Sequence, residues 1–273
     1  MSILQQSISI GPAVFTIGQL LLVFAYFIAL ISGYFAGLRR GVRVSDSLFT
    51  LVIVSLVTAR AIFVVRYWGS YDGFLAMLDI RDGGFDPSGA LAGGLAYSAW
   101  SLWRYPHLRS SLTTALVAGG LAWGIIAGPL LMVEQQSRPL PEVALNTPTG
   151  EQIYLPEYAR QSNQPLVINL WATWCPHCVS EMSMFAKAQE EETGVTFIFV
   201  NQGEAPARVL SFLEERSLTI DNVLMDKHNK LGKTTGSTAL PTTLFYDKSG
   251  QLVDSRTGRI SRARLESGLE QVR

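Results

Sequence analysis

The 273 residues predict an α-helical membrane bundle of four transmembrane helices joined to a separate α/β domain, a central mixed sheet flanked by helices. Three observations carry this. Four stretches of the first half are apolar enough to supply the roughly 20 residues a membrane helix needs. In the second half short apolar runs alternate with amphipathic ones and end in a hairpin, the pattern of a mixed sheet. The chain's two cysteines, Cys175 and Cys178, both sit where one such run passes into a helix. The expected division is a membrane domain at 1–133, a linker at 134–142 and an α/β domain at 143–273.

Charge supports the division. Residues 1–133 hold eight arginines, no lysine and five aspartates, about +3, and the remainder carries about −3, so the zero net charge covers two different solvents. The first apolar stretch, near 13–38, is long and free of charge. The second, near 47–68, is interrupted by Arg60 and Arg66. The third, near 88–103, is short and rich in small residues, and the fourth runs near 112–133. A cleavable signal peptide is not expected, because the start lacks a basic region and the first stretch is too long. Arg39, Arg40 and Arg43 follow the first stretch, and Arg104, His107 and Arg109 follow the third. Both loops are assigned to the cytoplasm, which puts the N-terminus and the C-terminal domain outside it.

Within the spans, Gly33/Gly37, Gly89/Gly93 and Gly120/Gly124/Gly128 recur at helical spacing. Such residues let helices approach closely, within a bundle or across a homodimer. Arg60 is expected to face a cavity or partner, since a charge inside an apolar span is costly. Arg66, Tyr67 and Trp68 read as an interfacial belt.

The segment from Glu134 to Glu142 is polar with two prolines, a short stiff linker. After it we expect a strand pair near 143–155, a helix near 156–161 and a strand at 166–170. A second helix follows, then strands near 194–200 and 223–225 separated by a helix near 205–216. A short helix near 228–233, a hairpin of 244–246 with 251–255 and a closing helix near 260–272 complete the domain.

Trp174-Cys175-Pro176-His177-Cys178 lies between the apolar run Leu166-Val167-Ile168-Asn169-Leu170 and a helical stripe containing Glu181, Met182, Met184 and Phe185. Two thiols so spaced at a strand-to-helix junction form a thiol–disulfide exchange site. At a helix start, unpaired N–H groups and the helix dipole favour thiolate over thiol, which makes Cys175 the nucleophile. Cys178, one turn further in, resolves the mixed disulfide. His177 supplies further stabilisation of the thiolate, and Pro176 suits the first helical turn. A zinc site would need about four ligands, against two cysteines and three histidines in the chain. No metal and no cofactor are expected.

The segment from Asn169 to Met182 resembles the active-site region of the TlpA/ResA-type membrane-anchored thioredoxin-like oxidoreductases, and Ala239-Leu240-Pro241-Thr242-Thr243 resembles their cis-proline strand. The likeness covers about 140–273. It implies a thioredoxin-like domain, a cis Leu240–Pro241 bond that sets a backbone edge against Cys175, and exchange with the cysteines of other proteins. It also implies a multi-pass location in the bacterial inner membrane with the α/β domain periplasmic. Asn169 stands where thioredoxin has a buried aspartate, so Glu181, three residues beyond Cys178 on the same helix face, becomes the candidate for proton transfer. The alternative for Glu181 is a solvated carboxylate that complements the helix dipole. The Pro-His dipeptide resembles that of DsbA, an oxidant, whereas the surrounding match leans slightly to a reductase. Direction stays open at this point.

Residues 60–67 with Asp82-Gly83-Gly84-Phe85-Asp86-Pro87-Ser88-Gly89-Ala90-Leu91 also resemble, weakly, the N-terminal part of prolipoprotein diacylglyceryl transferase, with Ser88 where that family has histidine. This suggests a lipid- or lipoprotein-binding polar site at Arg60, Arg66 and Ser88. No cysteine precedes Cys175, so a separate redox partner must recharge the pair. The expected partners are protein thiols and disulfides, that redox protein and the bilayer, and no nucleic acid.

Overall fold

The computed structural model describes residues 7–10, 13–38, 41–71, 73–134, 138–237 and 239–273. Arg39 and Arg40, expected in a cytoplasmic loop, and residues 135–137 of the expected linker lie outside them. The described residues form two compact units that part at residues 135 and 136.

The first unit opens with a hairpin of β1 (Ser7–Ile10) and β2 (Ala13–Thr16), which pair antiparallel from Ser7–Thr16 to Ile10–Ala13. The first long helix, α1 (Ile17–Leu38), therefore starts after the hairpin and not at residue 13. Hydropathy alone does not separate an apolar strand from the helix that follows it. Then come α2 (Ser45–Arg66), the short α3 (Phe74–Leu78), α4 (Pro87–Arg104) and α5 (Arg109–Glu134).

Among the described residues three helical segments are long and apolar enough to cross a membrane: Ile17–Leu38, Ser45–Arg66 and Pro106–Leu130. The expected third span exists as α4, but its glycines, serines and arginine leave it short of that mark. Four membrane spans therefore do not follow from length and composition.

Helix α4 packs along α2 by virtue of its glycines. A Cβ at Gly93 would lie 2.0 Å from Thr58 Oγ1, and one at Gly89 would lie 3.0 Å from Ala59 Cα. The Thr58 hydroxyl donates to Gly89 O at 2.9 Å, closing the seam. Helices α1 and α5 meet around Ala29, Leu112 and Ala115. Here Gly33 fits against Val44 and Ala115, and Gly119 against Ala29. The Gly120/Gly124/Gly128 row takes no part in this packing: an added Cβ at each would meet nothing within 4 Å.

The second unit is one seven-stranded sheet in the order β4-β3-β7-β6-β5-β8-β9. Its strands are β3 (Ala144–Asn146), β4 (Gln152–Tyr154), β5 (Leu166–Trp171), β6 (Thr196–Gln202), β7 (Val223–Asp226), β8 (Thr242–Tyr246) and β9 (Leu252–Thr257). Strands β5, β6 and β7 are mutually parallel, while β8 runs antiparallel to β5, and β3 to β7. The helices are α6 (Leu155–Ser162), α7 (Pro176–Glu191), α8 (Pro206–Glu215), α9 (Lys230–Thr235) and α10 (Arg262–Val272). Most boundaries fall within a few residues of those read from the sequence.

Strand β5 is buried along its whole length, as expected for a parallel strand covered on both faces. Its alternate residues divide between two cores. Leu166, Ile168 and Leu170 join Leu155, Leu231 and Leu244 on one face. Val167 and Trp171 join Phe185, Phe197, Phe199 and Leu265 on the other. Phe185 of α7 meets the rings of Phe197 and Phe199 at 6.4 and 5.9 Å, edge to face. That pins α7, and with it the thiol pair, to the sheet. Asn169 is the one polar residue on this strand, and it points to the face that α7 covers.

Candidate active site

The thiols lie where β5 ends and α7 begins. Cys175 is the N-cap of α7, with Pro176 in the first turn, and the Cys178 N–H donates to Cys175 Sγ at 3.2 Å. The two sulfurs are joined as a disulfide across 5.3 Å between Cα atoms. Both cysteines are buried, Cys178 completely, whereas Trp174 and His177 are exposed beside them. A sulfur at the N-cap receives a backbone N–H and the positive end of the helix dipole, the two influences that lower a thiol pKa.

Beneath the pair is a buried polar cluster. Glu181 is only 2% exposed, which rules out the solvated carboxylate. Its Oε1 accepts from Asn169 Nδ2 at 3.0 Å and its Oε2 from the Ile260 N–H at 3.0 Å. Asn169 Nδ2 also reaches Thr243 Oγ1 at 3.2 Å on the neighbouring β8, while Asn169 Oδ1 has no hydrogen-bond partner among the described residues. Burial pushes the Glu181 carboxyl from 4.5 up to about 7; the Ile260 and Asn169 hydrogen bonds and the nearby Arg259 charge oppose the rise without cancelling it. A carboxyl so tuned can take or give a proton near neutral pH.

The Leu240–Pro241 peptide is cis. Thr242 pairs with Leu170 in the sheet register, so Pro241 sits beside the end of β5 from which the Cys175 loop departs. Pro241 is buried and its carbonyl accepts from the Gly258 N–H at 2.8 Å, while Leu240 packs against both cores. The structure thus brings Asn169, Cys175, Cys178, Glu181, Leu240 and Pro241 to one end of the sheet.

Sequence reading missed Glu204. It follows β6, just past Gly203, whose φ of +80° turns the chain back toward the thiols. Its carboxylate accepts from the Thr173 N–H at 2.7 Å, Thr173 Oγ1 at 2.5 Å and Asn201 Nδ2 at 2.7 Å. Glu204 therefore ties down the loop that presents Trp174 and Cys175. The signal available was a polar Asn201-Gln202-Gly203-Glu204 run ending a buried strand, but nothing local names its partner. Ile260 and Thr243 were missed for the same reason.

The residues singled out in the N-terminal unit form two ties. The Arg60 guanidinium places its five N–H groups on Met77 O, Asp79 O, Gly84 O and Asp82 Oδ1, at 2.8–3.2 Å. Arg66 Nη1 lies 3.4 Å from Asp86 Oδ2, and the Ser88 hydroxyl donates to Asp86 Oδ1. Asp86 also caps α4 through the Gly89 N–H. The glycine pair has a packing explanation: Gly83 is left-handed, and a Cβ on Gly84 would come within 2.6 Å of Arg60 Nη1. Arg60 is consumed by its own loop, with no donor left for a ligand.

A mixed sheet in this order, with a thiol pair capping the helix after its central strand, defines a thioredoxin-like thiol–disulfide oxidoreductase. Residues 137–255 match the AhpC/TSA family. The thiol-disulfide oxidoreductase ResA of Geobacillus thermodenitrificans is 27% identical over 135 residues, 49% of this chain and 75% of that protein. ResA of Halalkalibacterium halodurans is 30% identical over 126 residues, 45% of this chain and 69% of that protein. The crystal structure of StoA from Bacillus subtilis superimposes with a TM-score of 0.40 at 22% identity, covering 47% of this chain and 99% of that one.

The chain belongs to the ResA family of thiol–disulfide oxidoreductases. It is an enzyme whose class implies protein thiol substrates and a redox partner. The family match leaves 1–136 aside, and none of these relatives supports the likeness to prolipoprotein diacylglyceryl transferase.

Proposed function

We propose that the chain is a membrane-anchored reductase of protein disulfides, working outside the cytoplasm of a bacterium from the inner membrane. The observation that carries this reading is the buried Glu181 carboxyl beneath the thiol pair. In the reduced enzyme the Cys175 thiolate attacks a substrate disulfide, forming a mixed disulfide and releasing one substrate sulfur as thiolate, which takes up a proton. Cys178, one helical turn from Glu181, passes its proton to that carboxylate and attacks Cys175 Sγ. The second substrate thiol leaves, and two electrons have moved from the enzyme to the substrate. No cysteine lies among residues 1–174, and a separate redox protein is the proposed source of the electrons that restore the dithiol.

Four crossings suit this role. Although less apolar than its neighbours, α4 is about 27 Å long and its glycines seat it against α2. Arg43, Arg104 and Arg109 then mark the cytoplasmic side, and both termini lie outside. The open Gly120/Gly124/Gly128 row offers a face for a homodimer. Trapping tests the core claim: Cys178→Ser should accumulate mixed disulfides with client proteins, and Cys175→Ser/Cys178→Ser should accumulate none. Failure to trap any client would overturn it.

Oxidation is the second reading, favoured by Pro176 and His177 in the first turn, which resemble the dipeptide of a strong oxidant. Equilibration with glutathione separates the two. A potential near about −270 mV marks a reductant, and one near about −120 mV an oxidant.

A further inference from the structure

We infer that the described residues between α2 and α4, 67–71 and 73–86, do not form a water-exposed loop. They form a re-entrant lip whose apolar side chains lie among the lipids of the outer leaflet. The inference rests on the proposal that α2 spans the membrane and goes beyond it in assigning a depth and an occupant to the loop.

Depth comes from the hydrogen bonds. Arg60 lies six residues before the end of α2 at Arg66, about 9 Å along the helix axis. The loop carbonyls of Met77, Asp79 and Gly84 all descend to its guanidinium. The Asp86 N–H reaches still lower, donating to Ala59 O at 3.1 Å, and α4 begins there. The loop is therefore held down beside the last turns of α2. A 22-residue helix is about 33 Å long, close to the roughly 30 Å hydrocarbon core, so those turns lie near the outer boundary of the core. Irregular backbone is tolerated at such depth only when its polar groups are satisfied by protein. The Arg60 guanidinium satisfies the carbonyls of Met77, Asp79 and Gly84, and the Asp82 carboxylate accepts from the Gly84 N–H at 3.0 Å.

The occupant follows from what the loop displays. Trp68, Phe74, Leu75, Leu78 and Ile80 are all at least 60% exposed, Leu75 reaching 82%. In water this patch would be an aggregation liability for a protein of any kind. Helix α2, which leads into the loop, likewise exposes Leu56, Val57 and Val65. Arg81, bonded to Asp79 at 2.8 Å and highly exposed, supplies the charge that suits a headgroup layer. An amphipathic element of this kind sits at the headgroup–acyl boundary.

The test uses the full chain, with Cys175→Ser and Cys178→Ser so that one introduced cysteine reacts, in vesicles of phosphatidylcholine and phosphatidylglycerol. Fluorophores are placed at Leu75→Cys, at Val57→Cys within α2, and at Lys248→Cys on the exposed turn of the C-terminal unit. Lipids brominated on their acyl chains should quench position 75 by about half or more of the loss seen at position 57, as a boundary location requires, and should leave position 248 unchanged. A membrane-impermeant sulfonated thiol reagent should react at 75 far more slowly than at 248, and adding Arg60→Gln should restore fast reaction. Position 75 behaving like 248 places the loop in water and overturns the inference. Position 75 shielded from both bromine and reagent means a second protein covers it, which also overturns it. If position 57 itself escapes quenching, the spanning of α2 fails and the inference falls with it; quenching at 57 without quenching at 75 refutes the lip alone.

Discussion

Glu181→Gln should stabilise the oxidised C-terminal unit at about pH 8 and leave it almost unchanged at about pH 4. Burial raises the Glu181 carboxyl from 4.5 to about 7. The folded state thus keeps a proton over a range in which the unfolded chain has already released it. Its contribution to stability is full below 4.5, is lost progressively as pH rises toward 7, and is gone above. At about 1.4 kcal/mol per pH unit, the whole loss is of the order of 3 kcal/mol. Glutamine carries no charge to desolvate. Its Oε1 can accept from the Ile260 N–H, and its Nε2 can donate to Asn169 Oδ1, which has no partner among the described residues of the parent, once that amide turns over. Urea titration of residues 138–273 with the disulfide intact, across about pH 4 to 8, reads the effect directly. The parent should lose stability over that range relative to the variant, and the two should converge at the acid end. Curves that run parallel, or a variant weaker at alkaline pH, would refute the claim that a charged Glu181 strains the fold.

Three further outcomes follow from the packing and the ties. Phe185→Ala empties the space between Phe197 and Phe199 beneath α7 and should cost about 3–5 kcal/mol, measured by denaturant unfolding; a loss below about 1 kcal/mol would mean the helix is held elsewhere. Glu204→Ala strands the Thr173 N–H and should cost about 2 kcal/mol, with a matching loss of hydrogen-exchange protection at that amide; unchanged protection would show that the loop does not depend on the carboxylate. Gly93→Leu must push α4 off Thr58 and should cost about 1–3 kcal/mol in the thermal unfolding of the detergent-solubilised chain, whereas Gly124→Leu should leave the monomer unaffected.

The C-terminal half was largely legible because its signals are local. The fully apolar run 166–171, the Cys-Pro-His-Cys start of α7 and the turn around Lys248-Ser249-Gly250 each announce an element from within a few residues. Glu181 was legible as a candidate by its spacing from Cys178, but not as a buried one. A carboxylate on a helix is ordinarily solvated, and here Asn169 and Ile260, from distant parts of the chain, take the place of water on it. The N-terminal half was legible in hydropathy and not in packing. The Gly120/Gly124/Gly128 row carried the strongest spacing signal, yet it is Gly119 that meets α1, because helical rotation is set by the neighbours and not by the motif.

From the chain alone one could read an apolar helical half, an α/β half and one thiol pair at a helix start. Composition, periodicity and the placement of cysteines are properties of consecutive residues, and they act before any long-range contact forms. What fell to the tertiary structure was every group whose meaning depends on a distant partner. Glu204 lies 31 residues from Thr173, Ile260 lies 79 from Glu181, and Gly84 lies 24 from Arg60. Burial, the raised Glu181 pKa and the satisfaction of Arg60 arise when the folded chain removes water from those pairs, and sequence spacing holds no record of that removal.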